Sequence, residues 1–182
     1  MRPLLIILGL LISIDAFADA KAGEKKAQLC LLCHKPENVK YGAPLLEAQS
    51  TKYLVRATTE YKIGKRSDPI MKSSVANLSS RDIRNIADYI ASRPAVTGVF
   101  STDPAKVAVG EKWVVEMKCG SCHGPTFAGT EAVPRLAGQI TGYLISQLEA
   151  FAADRRAHPP IGTRFDRIGD VEAIAHYLTA MK

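Results

Sequence analysis

Residues 30–34 read Cys-Leu-Leu-Cys-His, and residues 119–123 read Cys-Gly-Ser-Cys-His. These two copies of the pattern Cys-x-x-Cys-His contain all four cysteines of the chain. Two cysteines at this spacing can form thioether bonds to the vinyl groups of one haem, and the adjacent histidine can then bind the iron. The sequence therefore predicts two covalently bound haem c groups. The attachment residues are Cys30, Cys33, Cys119 and Cys122, and the proximal iron ligands are His34 and His123.

Two other kinds of site also use closely spaced cysteines. A thioredoxin-like redox motif needs no histidine directly after its second cysteine, and it belongs to a βαβ pattern that this sequence lacks. A four-cysteine zinc site would leave both histidines without a role. Covalent haem accounts for the cysteines and the histidines together.

The first 18 residues have the pattern of a secretory signal peptide. Arg2 precedes an apolar stretch over residues 4–14, and residues 16–18 (Ala-Phe-Ala) give the small-x-small pattern before a cut ahead of Asp19. The apolar stretch is short for a membrane span, and an uncleaved anchor is the alternative. We therefore expect the mature protein in the periplasm, on the side of the inner membrane where haem c is attached.

The remainder of the chain contains one unit twice. Residues 43–49 recur as 133–139, and residues 82–90 recur as 170–178, in the same order and at nearly the same spacing as the haem motifs. This repetition predicts two copies of one fold. We expect a signal peptide over residues 1–18, a first domain over 19–92, a linker over 93–104 and a second domain over 105–182.

Both copies show the sequence pattern of helices. Residues 53–61 and 143–151 each carry apolar side chains along one stripe, as expected of a helix packed against a core. Ser79 followed by Asp82 is typical of a helix N-cap with an acidic third position. Since no stretch alternates as a strand, the predicted fold class is all-α.

Each copy places a helix before the haem motif, followed by a proline-containing loop, a middle helix, a distal loop and a terminal helix. This order resembles the class I cytochrome c fold. The tandem arrangement, with its Pro-x-Leu-x-x-Gln, Tyr-Leu and Ala-x-Tyr blocks, resembles the periplasmic dihaem cytochrome c4 family over essentially the whole mature chain. It is also similar to the cytochrome subunit of flavocytochrome c sulfide dehydrogenases.

The resemblance implies roles for particular residues. In the family, a proline carbonyl after the haem motif accepts a hydrogen bond from the proximal histidine, and Pro44 and Pro134 match that position. Rigid loop geometry is a simpler role for the same prolines. Met71 matches the distal methionine and should complete the coordination of haem 1, the haem of the first copy. The last helix of each copy should cross the first, with Tyr89 and Tyr177 near the crossing.

The second copy departs from the family pattern at the distal position. Aligning Arg66 with Arg156 sets Met71 against Ile161, which cannot bind iron. His158 lies in the same loop and could bind the iron of haem 2, the haem of the second copy. The alternative is a solvated histidine that leaves this iron five-coordinate or bound to water. Both alternatives predict a lower reduction potential for haem 2 than for haem 1, because haem 2 lacks the methionine that favours Fe(II).

The charge is distributed unequally between the copies. Residues 19–100 carry a net charge of +6, whereas residues 101–182 have none. A basic first copy would suit an acidic electron acceptor, with the donor at the second copy. No basic helix or aromatic-basic stripe suggests nucleic-acid binding.

These features predict a periplasmic carrier of single electrons between a respiratory donor (a dehydrogenase or a membrane complex) and a terminal oxidase or reductase. Peripheral association with an inner-membrane complex is compatible with this role. One alternative is a subunit that accepts electrons from a flavoprotein such as sulfide dehydrogenase. Another is a haem enzyme or ligand-binding protein with an open haem 2. The sequence contains no constellation of catalytic acid, base and nucleophile, which favours a carrier over an enzyme.

Overall fold

The computed structural model describes residues 20–158 and 170–182. The predicted signal peptide and Ile161 lie outside the described residues. The helices are α1 (Ala20–Leu31), α2 (Thr51–Lys62), α3 (Pro69–Val75), α4 (Ser80–Ala91), α5 (Pro104–Glu116), α6 (Gly120–His123), α7 (Thr141–Ala152) and α8 (Val171–Ala180), with a 3₁₀ segment over Pro36–Tyr41. Within these two ranges there is no β-strand, which confirms the all-α prediction.

Local sequence signals explain where several helices begin. The Ser79 hydroxyl accepts a hydrogen bond from the Asp82 amide at 3.1 Å, and the Asp82 carboxylate accepts one from the Ser79 amide at 3.0 Å. This is the predicted cap at the start of α4, and it satisfies two amides that the helix leaves unpaired. Helices α3 and α5 each begin with a proline behind an aspartate cap, supplied by Asp68 and Asp103.

The first and last helices of each copy cross at a glycine. Helix α1 packs on α4, and α5 packs on α8. A Cβ atom on Gly23 would overlap the carbonyl oxygen of Asn85, and one on Gly110 would overlap that of Ala173. The Cβ atoms of Tyr89 and Tyr177 lie beside these same points, so the predicted crossing is confirmed in both copies.

Each copy has its own small core. In the first copy, buried side chains from α1, α2 and α4 form one cluster: Ala27, Leu54, Ile86, Ala87 and Ile90. In the second copy the cluster comprises Val114, Phe127, Ala137, Leu144, Ile174, Ala175 and Leu178, with Trp113 packed against it. None of the helices described has both the length and the apolarity needed to cross a bilayer.

Candidate haem sites

The Cys-x-x-Cys-His motif forms one helical turn in each copy. The amide of His34 donates to the carbonyl of Cys30 at 3.0 Å, and the amide of His123 donates to that of Cys119 at 3.1 Å. A single turn places residues i, i+3 and i+4 on one side of the backbone. Both cysteines and the histidine of each motif therefore occupy the same side of their turn.

None of the four cysteines is paired in a disulfide. Burial raises the pKa of the Cys30 thiol and raises the pKa of Cys119 to about 11. Reactive redox cysteines have lowered pKa values instead, so this environment does not suit a thioredoxin-like function.

The two predicted proximal histidines are buried, and each is hydrogen-bonded to a proline carbonyl. His34 is 6% exposed and His123 is 7% exposed. The Nδ1 atom of His34 lies 2.7 Å from the carbonyl oxygen of Pro44, and that of His123 lies 2.9 Å from the carbonyl oxygen of Pro134. A carbonyl oxygen can only accept, so Nδ1 carries the proton in each neutral ring and Nε2 keeps its lone pair. Burial also lowers the pKa of both histidines, which favours the neutral, metal-binding form.

In the second copy a tight loop returns the chain to His123. The Gly129 amide donates to the carbonyl of His123 at 2.9 Å, and Gly129 has a φ of 78°. A Cβ atom at this position would lie 2.5 Å from the carbonyl oxygen of Val133 and 2.7 Å from the carbonyl carbon of Pro134. Glycine therefore allows the Pro134 segment to pass close to the loop, within reach of the histidine.

Met71, the predicted distal residue of the first copy, lies on α3. Met71 is half-buried, and its amide donates to the Asp68 carboxylate at 2.8 Å. The pKa of His34 is lowered mainly by burial, while its bond to Pro44 and the charges of Glu47 and Asp68 act in the opposite direction. The Asp68 cap, and with it the start of α3, therefore lies within electrostatic reach of His34.

The ring of His158 lies near that of His123, the predicted proximal histidine of the second copy. The ring centroids of His123 and His158 are 6.1 Å apart, with 35° between the ring planes, and Phe151 packs edge-on against His158. Imidazole nitrogens bind metals at about 2.0–2.1 Å, so two rings at this separation are close enough to share one metal ion.

A buried arginine provides a further test of whether haem fits. Arg66 is 8% exposed; its guanidinium lies 4.3 Å from the Tyr61 ring centroid, 3.4 Å from the Tyr143 hydroxyl and 3.5 Å from the Gln147 side-chain oxygen. None of the ion pairs among the described residues involves Arg66. A carboxylate would stabilise such a buried guanidinium, and haem carries two propionate carboxylates. The thiols and imidazoles of the two turns therefore fit haem c, and the cation of Arg66 is compatible with it.

Two glutamines join the copies next to the prolines. Gln139 is hydrogen-bonded to the backbone of Leu45, and Gln49 is hydrogen-bonded to the backbone of Arg135. Sequence reasoning gave no role to these glutamines or to Arg66. One signal for these residues was present in the sequence: Gln49 matches Gln139, and Arg66 matches Arg156, in the two copies. Burial was the missing information, because polar residues are rarely buried without a partner.

Comparisons with known proteins agree with this geometry. A family model described as cytochrome c matches residues 107–182. Cytochrome c4 of Pseudomonas aeruginosa is 34% identical over 166 residues, which cover 85% of this chain and 82% of the relative. The crystal structure of reduced recombinant cytochrome c4 from Pseudomonas stutzeri superposes with a TM-score of 0.76 at 26% identity, covering 91% of this chain and all of that one.

One relative is named for a sulfur enzyme. The thiosulfate dehydrogenase electron acceptor of Stutzerimonas stutzeri is 28% identical over 201 residues, which cover 96% of this chain and 92% of the relative. A protein named as an electron acceptor of thiosulfate dehydrogenase is thus among the relatives of this chain.

Proposed function

The chain belongs to the dihaem cytochrome c4 family of electron-transfer cytochromes, and from that premise we propose that it binds two haem c groups and carries single electrons in the periplasm between a respiratory donor and a terminal oxidase or reductase. One observation carries the proposal. Each Cys-x-x-Cys-His turn holds a buried histidine whose Nδ1 donates to a proline carbonyl, leaving Nε2 for iron. Bound haem supplies the change between Fe(II) and Fe(III).

We assign the attachment residues by copy. Residues 19–92 form the first domain, with thioethers at Cys30 and Cys33 and His34 as the proximal ligand. Residues 105–182 form the second, with thioethers at Cys119 and Cys122 and His123 as the proximal ligand. Residues 93–104 join them. The gap between the end of α4 at Ala91 and the start of α5 at Pro104 supports this division.

The test is a haem count on the exported protein. We expect two covalent haems per chain, measured as alkaline pyridine haemochrome and as the mass of the intact protein. The double variant Cys30→Ser/Cys33→Ser should keep only haem 2, and Cys119→Ser/Cys122→Ser should keep only haem 1. A single haem in the unaltered protein would contradict the proposal.

We assign Met71 and His158 as the sixth ligands. Met71 is supported by its place at the start of α3, and His158 by the 6.1 Å separation of its ring from that of His123. Low-temperature EPR of the oxidised protein should show two low-spin ferric signals. His158→Ala should convert the haem 2 signal to high spin and leave haem 1 unchanged, whereas His176→Ala, on α8, should change neither. An unaltered haem 2 spectrum in His158→Ala would refute the assignment.

A second candidate function is to accept electrons from a sulfur-compound dehydrogenase. It is favoured by the relative named as the electron acceptor of thiosulfate dehydrogenase. The discriminating measurement is the rate of haem reduction by purified thiosulfate dehydrogenase with thiosulfate, compared with the rate for a quinol-oxidising membrane complex. Fast reduction by thiosulfate dehydrogenase, and not by the membrane complex, would favour this second function.

A further inference from the structure

The glutamine bridges between the copies are reciprocal. The Gln139 side-chain oxygen accepts from the Leu45 amide at 2.8 Å, and its nitrogen donates to the Leu45 carbonyl at 2.9 Å. The Gln49 side chain makes the same pair of bonds to Arg135, at 3.0 and 2.8 Å. Both glutamines are 5% exposed. Each one therefore engages both backbone groups of one residue in the other copy.

The bridged residues directly follow the prolines that orient the histidines. The amide of Leu45 and the carbonyl of Pro44 belong to one peptide unit, and that carbonyl accepts from His34. The amide of Arg135 and the carbonyl of Pro134 are related in the same way, and that carbonyl accepts from His123. A hydrogen-bonded chain therefore runs from Gln139 to His34, and a second runs from Gln49 to His123.

A peptide unit transmits polarisation because its C–N bond has partial double-bond character. When the amide donates a hydrogen bond, electron density shifts towards the carbonyl oxygen of the same unit. That oxygen becomes a stronger acceptor, and linked bonds in protein interiors strengthen one another by about 10–30% each. The histidine that donates to it becomes a more electron-rich ligand.

We propose that each glutamine tunes the iron ligand of the opposite copy: Gln139 acts on His34 and haem 1, and Gln49 acts on His123 and haem 2. The inference rests on the proposed function, since it assumes iron at Nε2 of both histidines. Both glutamines are positioning residues that act through a peptide group. The potential of each haem thus depends on a side chain of the domain that does not hold it.

The local structure supports a matched role at the two positions. The residue before each glutamine has a left-handed backbone, with φ of 56° at Ala48 and 71° at Gly138. The Ile140 amide also donates to the Gln139 oxygen at 3.0 Å, which holds that side chain in place. A non-glycine residue in this conformation is costly, so Ala48 indicates that the orientation of Gln49 is strongly determined by its surroundings.

The test is a redox titration of the holoprotein in which the two haems are resolved. Gln139→Leu removes the bridge to Leu45, so His34 becomes a weaker donor of electron density and ferric haem 1 is less stabilised. We expect the ferrous/ferric equilibrium of haem 1 to shift by about three- to tenfold towards Fe(II), where tenfold corresponds to about 59 mV for one electron. Haem 2 should keep its potential. Gln49→Leu should give the converse result.

A shift in the haem of the opposite copy distinguishes tuning through the peptide group from a general disturbance of the structure. A shift confined to the haem of the substituted copy, or an equal shift in both haems, would overturn the proposal. Lys52→Met removes a contact between the copies, the exposed ion pair with Glu131, without touching a bridged peptide. It should change neither potential. In the ferrous proteins, the proton NMR signal of His34 Nδ1–H should move upfield in Gln139→Leu, and that of His123 Nδ1–H should not.

Gln139→Glu keeps an acceptor for the Leu45 amide and covers the case in which Gln139→Leu fails to fold. A carboxylate is the stronger acceptor, so the haem 1 potential should fall, and a rise would overturn the proposal. The haem count and the EPR spectrum of the unaltered protein are measured first. If these show one haem or no histidine ligation, the proposed function has failed; if they show both and the crosswise shifts are absent, only the inference has failed.

Discussion

A single buried carboxylate distinguishes the surroundings of the two proximal histidines. Glu47 is 7% exposed, its carboxylate lies 3.7 Å from the Arg93 Nε atom, and its charge acts on the pKa of His34. The corresponding residue of the second copy is Ala137, a core residue. Within the part of the chain that the structure describes, the Glu47 charge beside His34 has no counterpart at Ala137, and with haem bound at His34 this charge should stabilise ferric iron.

Neutralising Glu47 should raise the haem 1 potential. For Glu47→Gln we expect a rise on the order of tens of millivolts, because a charge in a poorly screened interior interacts with the iron by about a kcal/mol. Haem 2 should not respond. Redox titration measures both potentials, and Glu60→Gln, which removes a charge from a helix-surface pair with Arg56, is the matched control. A fall in the haem 1 potential would contradict the argument.

At the scale of the elements, the glycines set how closely the first and last helices of each copy approach. Gly23→Ala and Gly110→Ala should each lower the free energy of unfolding by about 1–3 kcal/mol, the usual cost of forcing extra atoms into a packed contact. Gly142→Ala provides the control, since a Cβ atom there meets nothing within 4 Å. It should be neutral or stabilising by about 0.5–1 kcal/mol. Chemical denaturation of the holoprotein measures all three.

The cap of α4 makes a pH-dependent contribution to stability. Hydrogen bonds from Lys26 and Ser79 lower the pKa of Asp82 to about 2. Because the folded pKa is below the unfolded value of about 3.9, the stabilisation is present above pH 4 and is lost as the pH falls towards 2. Asp82→Asn should therefore lower the thermal midpoint at pH 7.

The difference in thermal midpoint between the unaltered protein and Asp82→Asn should disappear in acid. Thermal scans of the unaltered protein and of Asp82→Asn should converge near pH 2. Asp88→Asn, in the same helix and outside the cap, should show no such convergence. A constant difference between the unaltered protein and Asp82→Asn at all pH values would indicate a role of Asp82 other than the charged cap.

Across the whole molecule, the unequal distal ligands should set the direction of electron flow. Methionine favours Fe(II) and raises the potential, whereas a second histidine lowers it. We expect two midpoints, with haem 2 the lower, so that electrons enter at the second copy and leave from the first. His158→Met should raise the haem 2 potential and reduce the difference between the two midpoints. Equal midpoints in the unaltered protein would contradict this order.

The fold could be predicted from the sequence because its signals are local. The Ser79 cap and the stripes of α2 and α7 depend on neighbours within a few residues, and the repeated blocks are visible when the two halves of the sequence are compared. The hydrogen bonds of His34 and His123 to Pro44 and Pro134 occur where the family resemblance placed them, and the iron ligands themselves stay predictions.

The missed features depend on contacts between distant segments. The pairing of Gln139 with Leu45 joins residues of different copies, and no periodicity encodes it. The close approach at Gly23 becomes visible only when α1 lies on α4. His176 on α8 is half-buried and accepts a hydrogen bond from the Asp103 amide at 3.1 Å. The contact joins α8 to the residue that caps α5, 73 residues earlier in the chain.

The exchange of glutamines between the copies has the form of an isologous contact, in which the same patch on two partners faces itself across a two-fold axis. Such contacts normally hold homodimers together, and here one chain provides both partners. Gln49 and Gln139 are each already engaged by the other copy. The symmetry is therefore closed within the molecule, and this pairing does not extend to neighbouring molecules as a head-to-tail contact would.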